Sequence, residues 1–288
     1  MKTKITYWCL CACLCVNFLS KASVGIELAD SLFAKKQYQD ASLEYEKTIF
    51  TCGNDTAKNF YIFKKSICQK LSRSFNAEIK TLLRVNLSIC SDSLACVVYY
   101  ESALANYVLA NFKKSNELLE RAHSLPINTT EYNSCLLLHG FVLNELNDYS
   151  MAKTKFTEYF KNATLIKSEK ALFLIDSIYA DKNIPKLKSL KKARRMSLIL
   201  PGSGLFYAGK PGKAITNITL LLSAAAYTTY NVFITNYYTA ISSGFYFMRY
   251  FYTGGVNQLN DEIPKYNYKK TRKFNDAVKH KLISNMLL

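Results

Sequence analysis

Glycine and proline are scarce in this 288-residue chain, at 10 and 5 residues, and 20% of its residues are charged. That composition excludes a collagen-like, low-complexity or disordered chain. Histidine is scarcer still, since only His123, His139 and His280 are present and none stands at metal-ligand spacing from cysteines or carboxylates. There is no G-x-S-x-G, no H-E-x-x-H and no paired-carboxylate signature. The sequence thus implies no catalytic residue, no metal and no cofactor. What it has in quantity is apolar material, 49% hydrophobic and 14% aromatic, ample for the cores of one or two domains.

Acidic residues are also thin in the last third. From Lys186 onward 16 Lys+Arg face 3 Asp+Glu, a net +13, which leaves +4 for residues 1–185. Such a basic face suits anionic lipid, nucleic acid or an acidic protein.

Lys2 and Lys4 precede an apolar run from Ile5 to Leu19, and Ser20-Lys21-Ala22 places small residues three and one before a cut after Ala22. This pattern predicts a secretory signal peptide over residues 1–22, the run being short for a bilayer span. Cys9, Cys11, Cys13 and Cys15 would leave with it. Cys52, Cys68, Cys90, Cys96 and Cys135 remain, an odd number in a compartment that permits disulfides. Cys90 and Cys96, flanking a short polar stretch, are the most plausible pair by sequence; five buried small hydrophobes are the alternative.

A period of 37 residues runs through the next segment. Tyr38, Phe75, Phe112 and Tyr149 form an aromatic column; nine residues before each lie Ala29, Ser66, Ala103 and Gly140, and seven after each lie Tyr45, Leu82, Leu119 and Phe156. Each unit reads as two amphipathic helices, the small residue permitting close approach and the aromatic filling the gap at the turn. With Ala41, Ala152, Tyr99, Ala122 and Pro126 also matching, residues 25–162 resemble the tetratricopeptide-repeat family. The second unit departs from it with Ser66 and Glu78 where small residues belong. The resemblance implies an all-α solenoid of about four helix pairs, and Ser168–Asp181 reads as its capping helix. It also implies a concave groove lined by first helices that binds a protein partner. In this register the groove residues are Phe33, Phe63, Tyr100, Tyr107, Phe141 and Asn144, although the same rings could simply pack against the next unit.

Lys186, Lys188, Lys191, Lys192, Arg194 and Arg195 then form a basic run that abuts Met196–Pro201, a juxtaposition suited to a membrane surface. Nucleic acid is disfavoured by export and by the apolar neighbours. Gly204 to Lys210 fits G-x-x-x-x-G-K, but Pro211 stands where a magnesium-binding Ser or Thr would be and Leu205, Phe206 and Tyr207 fill the loop, so nucleotide binding is rejected. Pro201, Gly202, Gly204, Tyr207, Gly209 and Lys210 instead resemble the P-G-x-G-x-x-Y-x-G-K turn of small bacterial TM2-type modules. That resemblance implies a helical hairpin. Ala214–Ile234, 21 uncharged residues, is long enough for a transmembrane helix, and Tyr237–Tyr252 forms a second, aromatic-rich segment interrupted by Arg249.

The sequence therefore predicts an all-α protein divided into a signal peptide (1–22), a repeat domain (23–184), a basic hinge (185–195), a hydrophobic hairpin (196–253) and a basic polar tail (254–288). It predicts a non-catalytic exported adaptor, on the periplasmic side of the cell envelope, held at a membrane by lipid and capturing a protein through the groove. The alternative is a membrane-embedded component of a transport or envelope-assembly complex, with Arg249 facing a protein partner.

Overall fold

A computed structural model describes residues 26–126, 130–162 and 165–287. The expected signal peptide and its four cysteines lie outside the described residues. All regular elements among the described residues are helical, with no strand. The chain divides into two units, one ending at Tyr179 and the other beginning at Ala180.

The first unit comprises α1 (residues 26–34), α2 (Tyr38–Thr51), α3 (Asp55–Leu71), α4 (Phe75–Leu82), a 3₁₀ turn (Leu87–Ile89), α5 (Asp92–Val108), α6 (Phe112–His123), α7 (Thr130–Glu145), α8 (Tyr149–Asn162) and α9 (Leu165–Ile178). Consecutive helices from α2 to α9 pack on one another, and α5 also packs directly on α7. The 37-residue period is written into the backbone. Lys36, Arg73, Ala110 and Asn147 all take left-handed φ angles of 59–64°. Each closes the end of an odd-numbered helix in one way: Gln37 N–H donates to Leu32 C=O, Ser74 to Gln69, Asn111 to Asn106 and Asp148 to Leu143, at 2.8–3.0 Å. These bonds satisfy carbonyls that a helix end would otherwise leave open.

Packing follows the same register. Ala29, Ser66, Ala103 and Gly140 are buried, and so are Tyr45, Leu82, Leu119 and Phe156 in the partner column. Gly140 shows why the first column is small: a Cβ there would stand 2.6 Å from the Phe156 ring. A further column, Ala41, Glu78, Ser115 and Ala152, is also buried. Its odd member, Glu78, has no hydrogen-bond partner for either carboxylate oxygen.

The second unit holds α10 (Leu190–Ile199), α11 (Ser203–Ala208), α12 (Pro211–Phe233), α13 (Tyr237–Thr239), a π-helical turn (Ala240–Gly244) and α14 (Phe245–Leu287). Residues read as a separate hinge and a separate tail belong to one body here, because α10 and α11 both pack against α14. Their shared core is Ala193, Leu205, Ala208, Ala214, Leu259 and Ile263.

The expectation of a transmembrane helix, and with it a membrane-spanning role, is overturned: among the described residues no helix is long and apolar enough to cross a membrane. Length was sufficient in α12, but Thr216, Asn217, Thr219, Ser223, Thr228, Thr229 and Asn231 dilute its apolar content. The alternative of a membrane-embedded complex component goes with it, and Arg249 is exposed. Along α12 only Ala214, Asn217, Ala224 and Asn231 are buried, a stripe too narrow to shield the helix.

Candidate functional site

Two regions bring the residues singled out by sequence into defined geometry. In the first unit, Phe33, Phe63, Tyr100, Tyr107 and Phe141 sit on α1, α3, α5, α5 and α7, each half-buried. Phe33 meets Tyr38 edge-on at 5.6 Å between ring centroids, Tyr107 meets Phe112 at 5.6 Å, and Phe141 meets Phe156 at 5.1 Å. All five thus belong in part to packing, Tyr100 lying against the core cluster around Cys96 and Val142 and Phe63 against that of Ile49, Ile62 and Val98. Asn144 is buried, and its side-chain oxygen accepts a 2.8 Å hydrogen bond from the Tyr179 hydroxyl. It ties the last helix pair to the chain leaving α9 instead of lining a surface.

Two polar clusters inside this unit had no sequence signal, because their members are far apart in the chain. His139 Nε2 lies 2.9 Å from Asn116 Oδ1, and His139 Nδ1 lies 3.0 Å from His123 Nε2. Since Asn116 Oδ1 can only accept, His139 carries its proton on Nε2 and His123 donates from its own Nε2. Burial lowers His123 to about 4, with Lys155 adding to the effect, and lowers His139 to about 3, with His123 and Lys155 adding. Both imidazoles are therefore neutral at pH 7. In the other cluster Lys70 Nζ bridges the two Glu101 oxygens at 2.8 and 2.7 Å. Burial pushes the nearby Glu78 up to about 8, Glu101 adding to the rise and Lys70 opposing it.

In the second unit the glycine-rich turn is held by residues that lie before and after it in the chain. Gly202 (φ 83°) begins α11 and Gly209 (φ 80°) ends it, both left-handed positions that glycine occupies without strain. Gly204 lies where α11 crosses α10; a Cβ would meet Ala193 C=O and Ser197 Oγ at 2.4 Å. Its N–H donates to Ser197 Oγ at 3.0 Å. Tyr207 hydroxyl accepts from Ser189 N–H at 3.2 Å, and its ring carries the ammonium groups of Lys188 and Lys192 at 5.6 and 5.5 Å. Lys210 and Lys213 both reach the buried Glu262, at 3.1 and 2.5 Å. Hydrogen bonds from Lys213 and Lys210 hold its carboxyl below the usual carboxylate range. The lysine that mimicked a phosphate-binding loop is thus committed to a carboxylate.

The basic run is not one uniform surface. Lys186, Lys191, Lys192, Arg194 and Arg195 are exposed. Lys188 is half-buried, its ammonium 3.7 Å from the Tyr266 ring centroid and its backbone bonded at both N–H and C=O to Asn267. Arg194 bonds Asn260 at 2.5 Å. Among the described residues no three His, Cys, Asp or Glu side chains are grouped to hold a metal ion.

No family model matches the chain, and neither a curated protein nor a solved structure does.

Proposed function

We propose that the protein is a non-catalytic, exported adaptor whose first unit is a tetratricopeptide-like solenoid that captures a protein partner. One observation carries this reading: the 37-residue period recurs in sequence, in burial and in the left-handed turns at Lys36, Arg73, Ala110 and Asn147. A chain built so regularly places one helix of each pair in a series, here α1, α3, α5 and α7, and the half-buried rings of Phe33, Phe63, Tyr100, Tyr107 and Phe141 lie on that series. Half-burial fixes the ring while leaving an edge for a ligand, the arrangement favoured at binding hot spots. Asn144 supports the groove from inside. Export rests on the N-terminal apolar run, and the second unit is assigned no bilayer-crossing role.

The test places a photo-crosslinking phenylalanine in the full chain, in its own cells, at Tyr107, at Phe141 and at the exposed Glu117 of α6. Tyr107 and Phe141 should give one common protein adduct that Glu117 does not give. Equal labelling from all three positions, or none from the first two, would sink the groove.

A further inference from the structure

The five cysteines after the apolar run are not equivalent. Cys90, read by sequence as a partner of Cys96, accepts a hydrogen bond from Asn59 Nδ2 at 3.3 Å and lies 3.3 Å from Asn86 C=O. Cys52 lies beside Asn54 C=O. Cys68 is buried in a separate cluster with Ala29, Ala41 and Tyr45. Cys96 on α5 and Cys135 on α7, 39 residues apart, touch each other: their sulfurs are 3.7 Å apart and both side chains are wholly buried. They share one core with Ala103, Leu119, Ala122, Leu138 and Val142.

We propose that Cys96 and Cys135 are a redox-modification site, oxidised to a disulfide that staples the third helix pair to the fourth. Sulfurs already in contact need only small side-chain rotations to approach the ~2.05 Å of a disulfide. The oxidant is a disulfide such as oxidised glutathione or a thiol–disulfide oxidoreductase. One cysteine thiolate attacks the oxidant's S–S bond, forming a mixed disulfide and releasing one thiol; the other cysteine attacks that mixed disulfide, forming the Cys96–Cys135 bond and releasing the second thiol. Two cysteine protons and two electrons pass to the oxidant, which leaves as two thiols. Because neither sulfur is accessible in the folded unit, the exchange belongs to the stage before α5 and α7 close, and the finished bond is screened from reductants.

The experiment refolds the full chain from denaturant in a glutathione redox buffer, and in parallel under a phosphine reductant, then alkylates it and maps its peptides without reduction. The oxidised sample should yield a Cys96–Cys135 peptide pair, lighter by two hydrogens than the separate peptides, and its first unit should melt about 10 °C above the reduced sample, the rise that a loop of this length gives. The pair should persist in Cys90→Ser and vanish in Cys96→Ala. Recovery of Cys96 and Cys135 as separately alkylated peptides from correctly refolded, oxidised chain would overturn the proposal, as would a Cys90–Cys96 pair. Because the decisive readout is on the unsubstituted chain, a variant that fails to fold decides nothing by itself and the mapping still does.

Discussion

Among the described residues the buried aromatic side chains all lie in the first unit, although Phe50 and Phe173 there are exposed. In the first, Tyr45, Tyr149, Phe156 and Phe160 are buried and set the spacing of helices. In the second, Phe233 is 82% exposed and Tyr238 83%, with Tyr230, Tyr237, Phe245, Tyr246 and Tyr250 also open. The helices of the second unit meet instead through very small residues: Gly204 under Ala193, Gly244 against Thr228, Gly255 against Asn217. Composition alone does not separate these uses. A ring that recurs at a fixed period belongs to packing; rings crowded between the end of α12 and the start of α14 exceed what a narrow buried stripe can cover.

The largest test of this contrast is Phe156→Ala. Truncating a fully buried ring should cost about 3–5 kcal/mol in thermal unfolding of the first unit, whereas Phe233→Ala should change stability by less than about 0.5 kcal/mol. Comparable losses from both would mean that the rings around the end of α12 are packed in solution.

Next in size is Gly204→Ala. The added methyl meets a backbone carbonyl that cannot swing aside, so the second unit should lose about 1–3 kcal/mol in a denaturant titration. Gly212, where a Cβ meets nothing within 4 Å, is the control in the same unit. Gly212→Ala should be neutral or mildly stabilising.

A third test is confined to the first unit and depends on pH. Glu78 titrates higher folded, at about 8, than the ordinary carboxylate value, so the folded state holds the proton longer and stability falls as pH rises from about 4.5 to 8. The imidazoles of His123 and His139 titrate lower folded, at about 4 and 3, so stability falls as pH drops below about 6.5. Glu78→Gln should flatten the alkaline limb of Tm against pH and His139→Gln the acid limb. Limbs left unchanged would show that these groups are solvated.

How much of this was legible varies by element. The three columns of the 37-residue period announced the helix pairs, and Gly140 against Phe156 is the contact that those columns implied. The left-handed turns were hidden because Lys36, Arg73 and Ala110 carry no side-chain bias toward positive φ; only Asn147 does. Cys135 was missed as a neighbour of Cys96 because a short sequence gap favours Cys90, while stacking of α5 on α7 brings together residues 39 apart. The motif from Pro201 to Lys210 is visible as a string, but its logic depends on Glu262, 49 positions after Lys213, and on Tyr266 and Asn267, the latter 79 positions after Lys188. Asn144 falls in the register expected of a groove residue, but the side chain is buried against Tyr179, a partner 35 positions away that the repeat pattern does not announce.

The pairing of Lys188 with Asn267 has a consequence for synthesis. Seventy-nine residues separate the two, so at the ribosome's ~5–20 residues per second the start of the second unit waits roughly 4–16 s for its partner to be made. The contacts that close the first unit reach back far less, 35 residues from Tyr179 to Asn144. The first unit can therefore close helix pair by helix pair as it is made, whereas the core around α10 and α11 is complete only once α14 is available.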